Sequence, residues 1–170
     1  GLELNTLKLA QWLRRYGWKV RLMVGEGTVM HRRAMEMGEQ VSTMPAKSKV
    51  LGFDKAALLN RWIKKIGASI VFTPFNKDIA TVALCKFLYK KDIKLVYQQQ
   101  MQVGINKKDL IHTLRYNKID VWIAPLDYLK QEVLEKTRVP EERIAVIPLG
   151  IETERYFKNN ITKEAARNAL

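Results

Sequence analysis

Cysteine is all but absent from this 170-residue chain. Cys85 is the single cysteine of the sequence, sits among helix-like apolar residues and reads as a core thiol. A reducing, cytoplasmic setting is the simplest expectation. Histidine is nearly as scarce. His31 and His112 fall on different helical stretches with no second ligand at metal spacing, and no bound metal is expected. No Ser-His-Asp or Cys-His constellation can be assembled from neighbouring residues, so the catalytic residues stay unknown. The sequence also lacks G-x-G-x-x-G and G-x-x-x-x-G-K-[ST], the glycine-rich phosphate loops. Gly25-Glu26-Gly27 lacks a third glycine and reads as a turn. No apolar run approaches the roughly 18 residues of a bilayer span; ATVALC, Ala80 to Cys85, meets Lys86 at once.

Acidic residues are short as well. Seventeen Asp and Glu face 30 Lys and Arg, a net charge of +13. The imbalance sits in residues 1–118, where 22 basic residues face 8 acidic ones, whereas residues 119–170 hold 8 against 9. Such a balance attracts polyanions: phosphorylated substrates, anionic lipid headgroups or nucleic acid. Solvated basic helix faces with no ligand would give the same count.

What the chain does have is an alternation of helical and strand periods. Leu2, Leu9, Leu13 and Tyr16 mark one side of a first helix closed by Gly17. VRLMV (20–24) reads as a strand, His31 to Met37 as a short helix ended by Gly38, and VSTM (41–44) as a brief strand. Residues 46–53 read as a loop. Asp54 can cap a helix through Ile66, ended by Gly67. IVFT (70–73) is a strand stopped by Pro74, Asn76 opens a helix to about Lys90, and KLVYQ (94–98) is the next strand. A helix from about Lys107 to Asn117 precedes the strand VWIA; Asp127 can cap the helix after it, and IAVIP follows as the last strand. Thr162 to Leu170 reads as a final short helix. Four- to six-residue apolar strands separated by helices imply right-handed crossovers: an α/β chain with a Rossmann-like parallel sheet and helices on both faces.

In an open parallel sheet, ligands bind beyond the carboxyl ends of the strands. That rule selects Gly25 to Gly27, Thr73 to Asn76, Gln98 to Gln102 and Pro125 to Tyr128. The triple glutamine is the least expected of these. Gln98, Gln99 and Gln100 can hydrogen-bond hydroxyls or a phosphate but cannot act as general acid or base; they can also be no more than a polar strand end. Two helical stretches set an aromatic among lysines, Trp62 beside Arg61, Lys64 and Lys65, and Tyr89 beside Lys86, Lys90 and Lys91. Either could meet a membrane–water interface, or pack its ring on the sheet with the lysines in water.

IAVIPLGIETERYF (144–157) is the most specific segment: a buried strand ended by Pro148, a turn at Gly150, an acidic residue and the pair Tyr156-Phe157. It resembles the V-I-P-N-G-V-D-x-x-x-F segment of family 4 (group 1) glycosyltransferases, with Leu149 and Glu152 in place of Asn and Asp. Three further stretches resemble that family in order. GLELNTLKLAQWLRRYGWKVRLMV is similar to G-G-x-E-x-x-x-x-x-L-A-x-x-L-x-x-x-G-H-x-V, ASIVFTPF to D-V-V-H-x-H, and KIDVWIAPLDYLKQEVLEK to A-D-x-V-I-A-x-S-x-x-L-x-x-x-L. TKEAARNAL is similar to the helix Y-x-x-x-x-R-x-x-L that follows. Leu126 stands where the family has serine.

The resemblance implies the N-terminal half of a GT-B fold whose first strand is missing. Residues 1–150 would form the acceptor-side domain, and 151–170 the hinge and start of an absent C-terminal donor domain. It implies a retaining enzyme that transfers a sugar from a nucleotide-sugar donor, without a bound cofactor, to a sugar or lipid-linked acceptor. These residues alone are expected to be inactive. By position, Gly1 and Leu2 would lie near the donor diphosphate. Thr73, Phe75, Asn76, Gln98, Gln99, Gln100, Gln102, Leu126 and Asp127 would line the acceptor cleft, and Pro148, Gly150 and Glu152 would form the hinge. A cytoplasmic location, with peripheral contact at the inner face of an anionic membrane, fits the basic charge. The competing reading is a non-catalytic basic Rossmann-like module that binds anionic membrane or nucleic acid, nucleic acid being the weaker branch because no reading motif is present. A nucleotide-sugar epimerase of the same fold ranks below both.

Overall fold

The computed structural model describes residues 1–45, 47–48, 52–89, 92–151 and 167. Among these residues six helices alternate with six strands. They are α1 (Leu2–Arg15), β1 (Leu22–Gly25), α2 (Val29–Glu36), β2 (Val41–Met44), α3 (Phe53–Ile66), β3 (Ile70–Thr73), α4 (Asn76–Tyr89), β4 (Lys94–Gln98), α5 (Leu110–Tyr116), β5 (Val121–Ala124), α6 (Asp127–Lys136) and β6 (Ile144–Val146), with a 3-10 turn at Glu141–Arg143 before β6. Every strand pair is parallel. The architecture is a Rossmann-like α/β arrangement of parallel strands flanked by helices, as the alternation implied.

The strands do not form one ladder. β1 pairs with β2, and β3-β4-β5-β6 form a separate four-stranded sheet. Among the described residues β1 and β3 each keep one edge without a ladder partner. The single sheet expected from the sequence is therefore two. Two interiors match this division: one runs from Leu59 and Ile63 of α3 through Leu95, Tyr97, Trp122 and Val133, the other joins Leu7 and Ala10 to Leu22, Val24, Met30 and Ala34.

Helix ends follow local chemistry. Gly17, Gly38 and Gly67 take positive φ just past α1, α2 and α3, a conformation other residues adopt only at a cost. Asp54 does not cap α3. Gly52 is the N-cap, at φ +93°, and Asp54 sits inside the first turn, accepting from the Ser48 hydroxyl. Asp127 likewise lies inside α6, whose N-cap is Leu126. α5 is shorter than its periodicity implied because Asp109 starts it, accepting from the N–H groups of Ile111 and His112 at 3.1 Å each. β1 starts at Leu22 rather than Val20; the Val20 carbonyl accepts from Arg14 Nε at 3.4 Å instead. Trp62 packs inward, its indole N–H donating to Ser42 Oγ at 2.8 Å, which ties α3 to β2. The final helix, Thr162 to Leu170, lies outside the described residues apart from Arg167, which is helical.

Candidate functional site

A cleft of about 420 Å³ opens at the carboxyl ends of β3 and β4. Pro74 to Lys77, the turn from β3 into α4, form one wall. Gln99 to Val103 and Lys107, the strand end and loop after β4, form another, and Leu2 at the start of α1 closes the rim. The floor is aromatic. Trp122 meets Tyr97 edge to face at 4.7 Å between ring centres, and Tyr116 at 5.3 Å. Tyr116 Oη donates to Asn76 Oδ1 at 3.3 Å, fixing the first residue of α4 against the floor. Burial pushes the Tyr97 phenol far above its ordinary range, with the neighbouring Tyr116 adding to the shift. Burial also raises Tyr116, against the opposing hydrogen bond to Asn76. Neither phenol ionises near neutral pH.

The glutamines split into separate roles. Gln98 still belongs to β4, beside Ile123 of β5. Gln99 is only 1% exposed. Its backbone N–H donates to the Ile123 carbonyl at 2.8 Å, its Nε2 donates to the Met101 carbonyl at 3.0 Å, and its Oε1 accepts from Trp122 Nε1 at 3.0 Å. That amide is committed to the scaffold, and what it offers the cleft is a wall. Gln100 is different. Its Nε2 is buried and has no hydrogen-bond partner, a donor left for whatever enters. Gln102 is exposed and donates to Tyr128 Oη at 3.4 Å, bridging the loop to α6.

Glu132 holds this loop from beneath, at 4% exposure. It accepts from the N–H groups of Val103 at 2.9 Å and Gly104 at 3.4 Å, and from Lys136 Nζ at 2.8 Å. Gly104 turns at φ +74°, where a side chain would be strained. Burial alone would raise the Glu132 carboxyl; the hydrogen bonds from Lys136 and the two N–H groups outweigh it and bring the group below its ordinary value. The Lys107 N–H completes the tie by donating to the Lys136 carbonyl at 2.7 Å. On the far side of the sheet end, Asp120 accepts from Leu95 N–H at 2.7 Å and from Lys86 at 2.5 Å.

Of the residues selected from sequence, the cleft gathers Leu2, Phe75, Asn76, Gln99, Gln100 and Gln102. Thr73 is buried behind the wall, where its hydroxyl accepts from Phe75 N–H at 3.2 Å and closes the turn. Gln98, Leu126 and Asp127 do not line the cleft; the last two are exposed at the start of α6. Gly1 is exposed at the head of α1, next to the rim, with open space where a side chain would stand. Pro148 and Gly150 are exposed after β6, and a side chain at Gly150 would stand 3.4 Å from Trp12 of α1. Glu152 lies outside the described residues. Sequence reasoning missed Lys77 and Lys107, which bring two cations to the cleft; Lys77 Nζ lies 5.4 Å from the Phe75 ring centre. It also missed Glu132, whose loop partners, the N–H groups of Gly104 and Val103, lie 28 and 29 positions away; the local pair with Lys136 at i+4 does not point to the cleft.

No Asp, Glu, His or Cys lines the cleft among the described residues. Among them, too, no group of three or more His, Cys, Asp and Glu could hold a metal ion, and no helix is long and apolar enough to cross a membrane. The arrangement can bind a polar, anionic ligand over an aromatic floor; among the described residues its lining brings lysines and tyrosines but no carboxylate, imidazole or thiol.

Fold and cleft together define a Rossmann-like parallel α/β fold with an open cleft beyond the ends of β3 and β4. The model of Glycosyltransferase Family 4 matches residues 1–155, and the chain belongs to that family. Among solved structures it is similar to a glycosyltransferase from Rickettsia africae ESF-5, with a TM-score of 0.73 at 19% identity. The match covers 99% of this chain and 45% of that one, so this chain spans less than half that protein's length. Comparison with curated proteins finds no match.

Proposed function

We propose that this chain is the acceptor-binding, N-terminal domain of a retaining glycosyltransferase that takes its sugar from a nucleotide-sugar. The observation that carries the reading is the cleft: amide groups and two lysines over an aromatic floor, with no Asp, Glu, His or Cys among its described lining residues. Such a site suits the recognition of a polar, phosphate-bearing acceptor, and leaves the chemistry to groups brought from a second, donor-binding domain. In this reading basic side chains of that domain stabilise the departing diphosphate, with no cofactor or metal required. The start of α1, with Leu2 on the rim and Gly1 beside it, would in this reading meet the donor diphosphate, since backbone N–H groups at a helix start favour anions. The chain alone would then be inactive, with residues 151–170 leading into the partner domain across a hinge at Pro148, Gly150 and Glu152. A parallel strand ahead of α1 would fit the unpaired edges of β1 and β3. We place the protein in the cytoplasm, peripheral to the inner face of an anionic membrane, on the strength of its net charge of +13.

The test is transfer by the longer protein. Radiolabelled nucleotide-sugars would be offered with sugar-phosphate and lipid-linked acceptors, and the anomeric configuration of the product read by NMR. Transfer with the donor's configuration kept is the expected result. An inverted product removes the retaining mechanism. Transfer unaffected by Gln100→Ala and Lys107→Ala removes the acceptor role of this cleft.

A further inference from the structure

Helix α5 faces the wrong way for a helix that serves only the core. Its body-facing side is Tyr116, buried on Trp122, with His112 and Thr113 half-buried beside it. On the opposite side stand Leu110 (73% exposed), Ile111 (59%) and Leu114 (59%). At helical spacing these three fall within an arc of about 100°, so they form one aliphatic ridge rather than scattered exposures. Ile105 and Met101, in the loop before it, are exposed as well. Cations stand at both ends of the ridge: Lys107 and Lys108 before it, Arg115 and Lys118 after it. Lys118 Nζ also lies 5.9 Å from the ring centre of Phe87, an exposed aromatic at the end of α4. The single acid of the stretch 105–118, Asp109, is occupied: it caps the helix and binds His112 Nδ1 at 2.6 Å.

We propose that α5 and the loop before it are the surface that docks this protein on an anionic lipid bilayer. Leu110, Ile111 and Leu114 enter the boundary between headgroups and acyl chains, and the flanking lysines and arginine meet the headgroup phosphates. Charge complementarity selects this occupant. A protein partner needs a shaped interface of about 1,000 Å² or more, which one seven-residue helix does not offer. Interfacial binding needs only inserted apolar side chains plus attraction to anionic headgroups. The inference rests on the peripheral-membrane part of the reading above and is independent of the transfer reaction. It moves the contact away from α3, where Trp62 is tied inward to Ser42. Because α5 follows the loop that walls the cleft, the cleft would open close to the bilayer surface, within reach of an acceptor held there.

The experiment is co-sedimentation of the full chain with vesicles of phosphatidylcholine alone and with about one third phosphatidylglycerol. Circular dichroism would confirm that each variant is folded. Binding is expected only to the anionic vesicles, weakening as salt rises from about 0.1 to about 0.5 M. The double variant Leu110→Glu/Leu114→Glu should lose about tenfold or more in affinity, and Lys108→Glu/Arg115→Glu a similar amount. Arg61→Glu/Lys64→Glu on α3 should bind as the parent does. Parent-like binding by the α5 variants, or loss only in the α3 variant, overturns this surface while leaving the peripheral reading intact. No vesicle binding by the parent overturns both. Concentration-dependent self-association of the parent that Leu114→Glu abolishes, without lipid binding, assigns the ridge to a second copy instead.

Discussion

Among the described residues, eighteen buried side chains around the four-stranded sheet form one continuous interior, from Ala56 to Ile144; around β1 and β2 six do. The larger region is held by bulk. Trp122, at 2% exposure, sits between Tyr97 and Tyr116 and hydrogen-bonds Gln99. The smaller region has fewer large side chains and polar ties of its own: Thr28 accepts from His31 N–H at the start of α2, and Arg14 of α1 pairs with Glu39 after α2 at 2.5 Å. The contrast teaches where precision can be kept. The cleft is built on the larger interior, while the smaller layer contributes only the rim at Leu2.

The largest effect that would test this difference is Trp122→Ala. It should cost about 3–5 kcal/mol, seen as a lower urea midpoint for the whole chain, and should also leave Gln99 Oε1 without its donor. Leu7→Ala should cost about 2–3 kcal/mol but act locally. Hydrogen exchange should speed up in α1, α2 and β1 while β4 and β5 stay protected; equal acceleration in both regions would erase the distinction. Next comes Glu132→Gln, expected to cost about 1–3 kcal/mol by weakening the acceptor for Val103 and Gly104, with faster exchange confined to residues 99–109. This site also carries a pH signature. Its folded carboxyl titrates below the ordinary 4.5, so its contribution is present above that value and is lost as pH falls through the lowered one. Asp120, lowered from 3.8 by Lys86 and Leu95 N–H against the opposing effect of burial, adds to the same acid limb. The cleft loop should therefore loosen on acidification, and Glu132→Gln should flatten that dependence. The smallest effect is Arg14→Ala, about 0.5–1 kcal/mol, removable by salt and confined to the small layer.

How far the sequence revealed these regions follows from the range of the forces involved. VSTM, IVFT, KLVYQ and VWIA are strands to the residue, because each is a short apolar run bounded by a breaker or a polar turn. The cap positions at Asp54 and Asp127 moved by one or two residues, since a cap is chosen by where the backbone turns, and at Gly52 that is a φ only glycine adopts freely. The cleft's place was legible from the strand-end rule, and so were Asn76 and Gln100. The different fate of Gln99 was not: three identical side chains in a row acquire different roles only when Trp122 folds beneath one of them. Glu132 reaches the site through contacts 28 and 29 positions away that no spacing records, whereas Lys77 and Lys107 lie just past the stretches that the strand-end rule selects. The division into two ladders was equally hidden, since apolar runs report that strands exist and not which edges meet.

The indole of Trp122 forms the floor of the cleft and gives its N–H to an amide whose other end anchors the cleft wall. Optically, the protein therefore has a chromophore built into its own binding surface. An occupant that reorients Gln99 or displaces water from the floor must change the polarity around that ring, and with it the colour of its emission. Exposed Trp18 would keep reporting bulk solvent, an internal reference within the same spectrum.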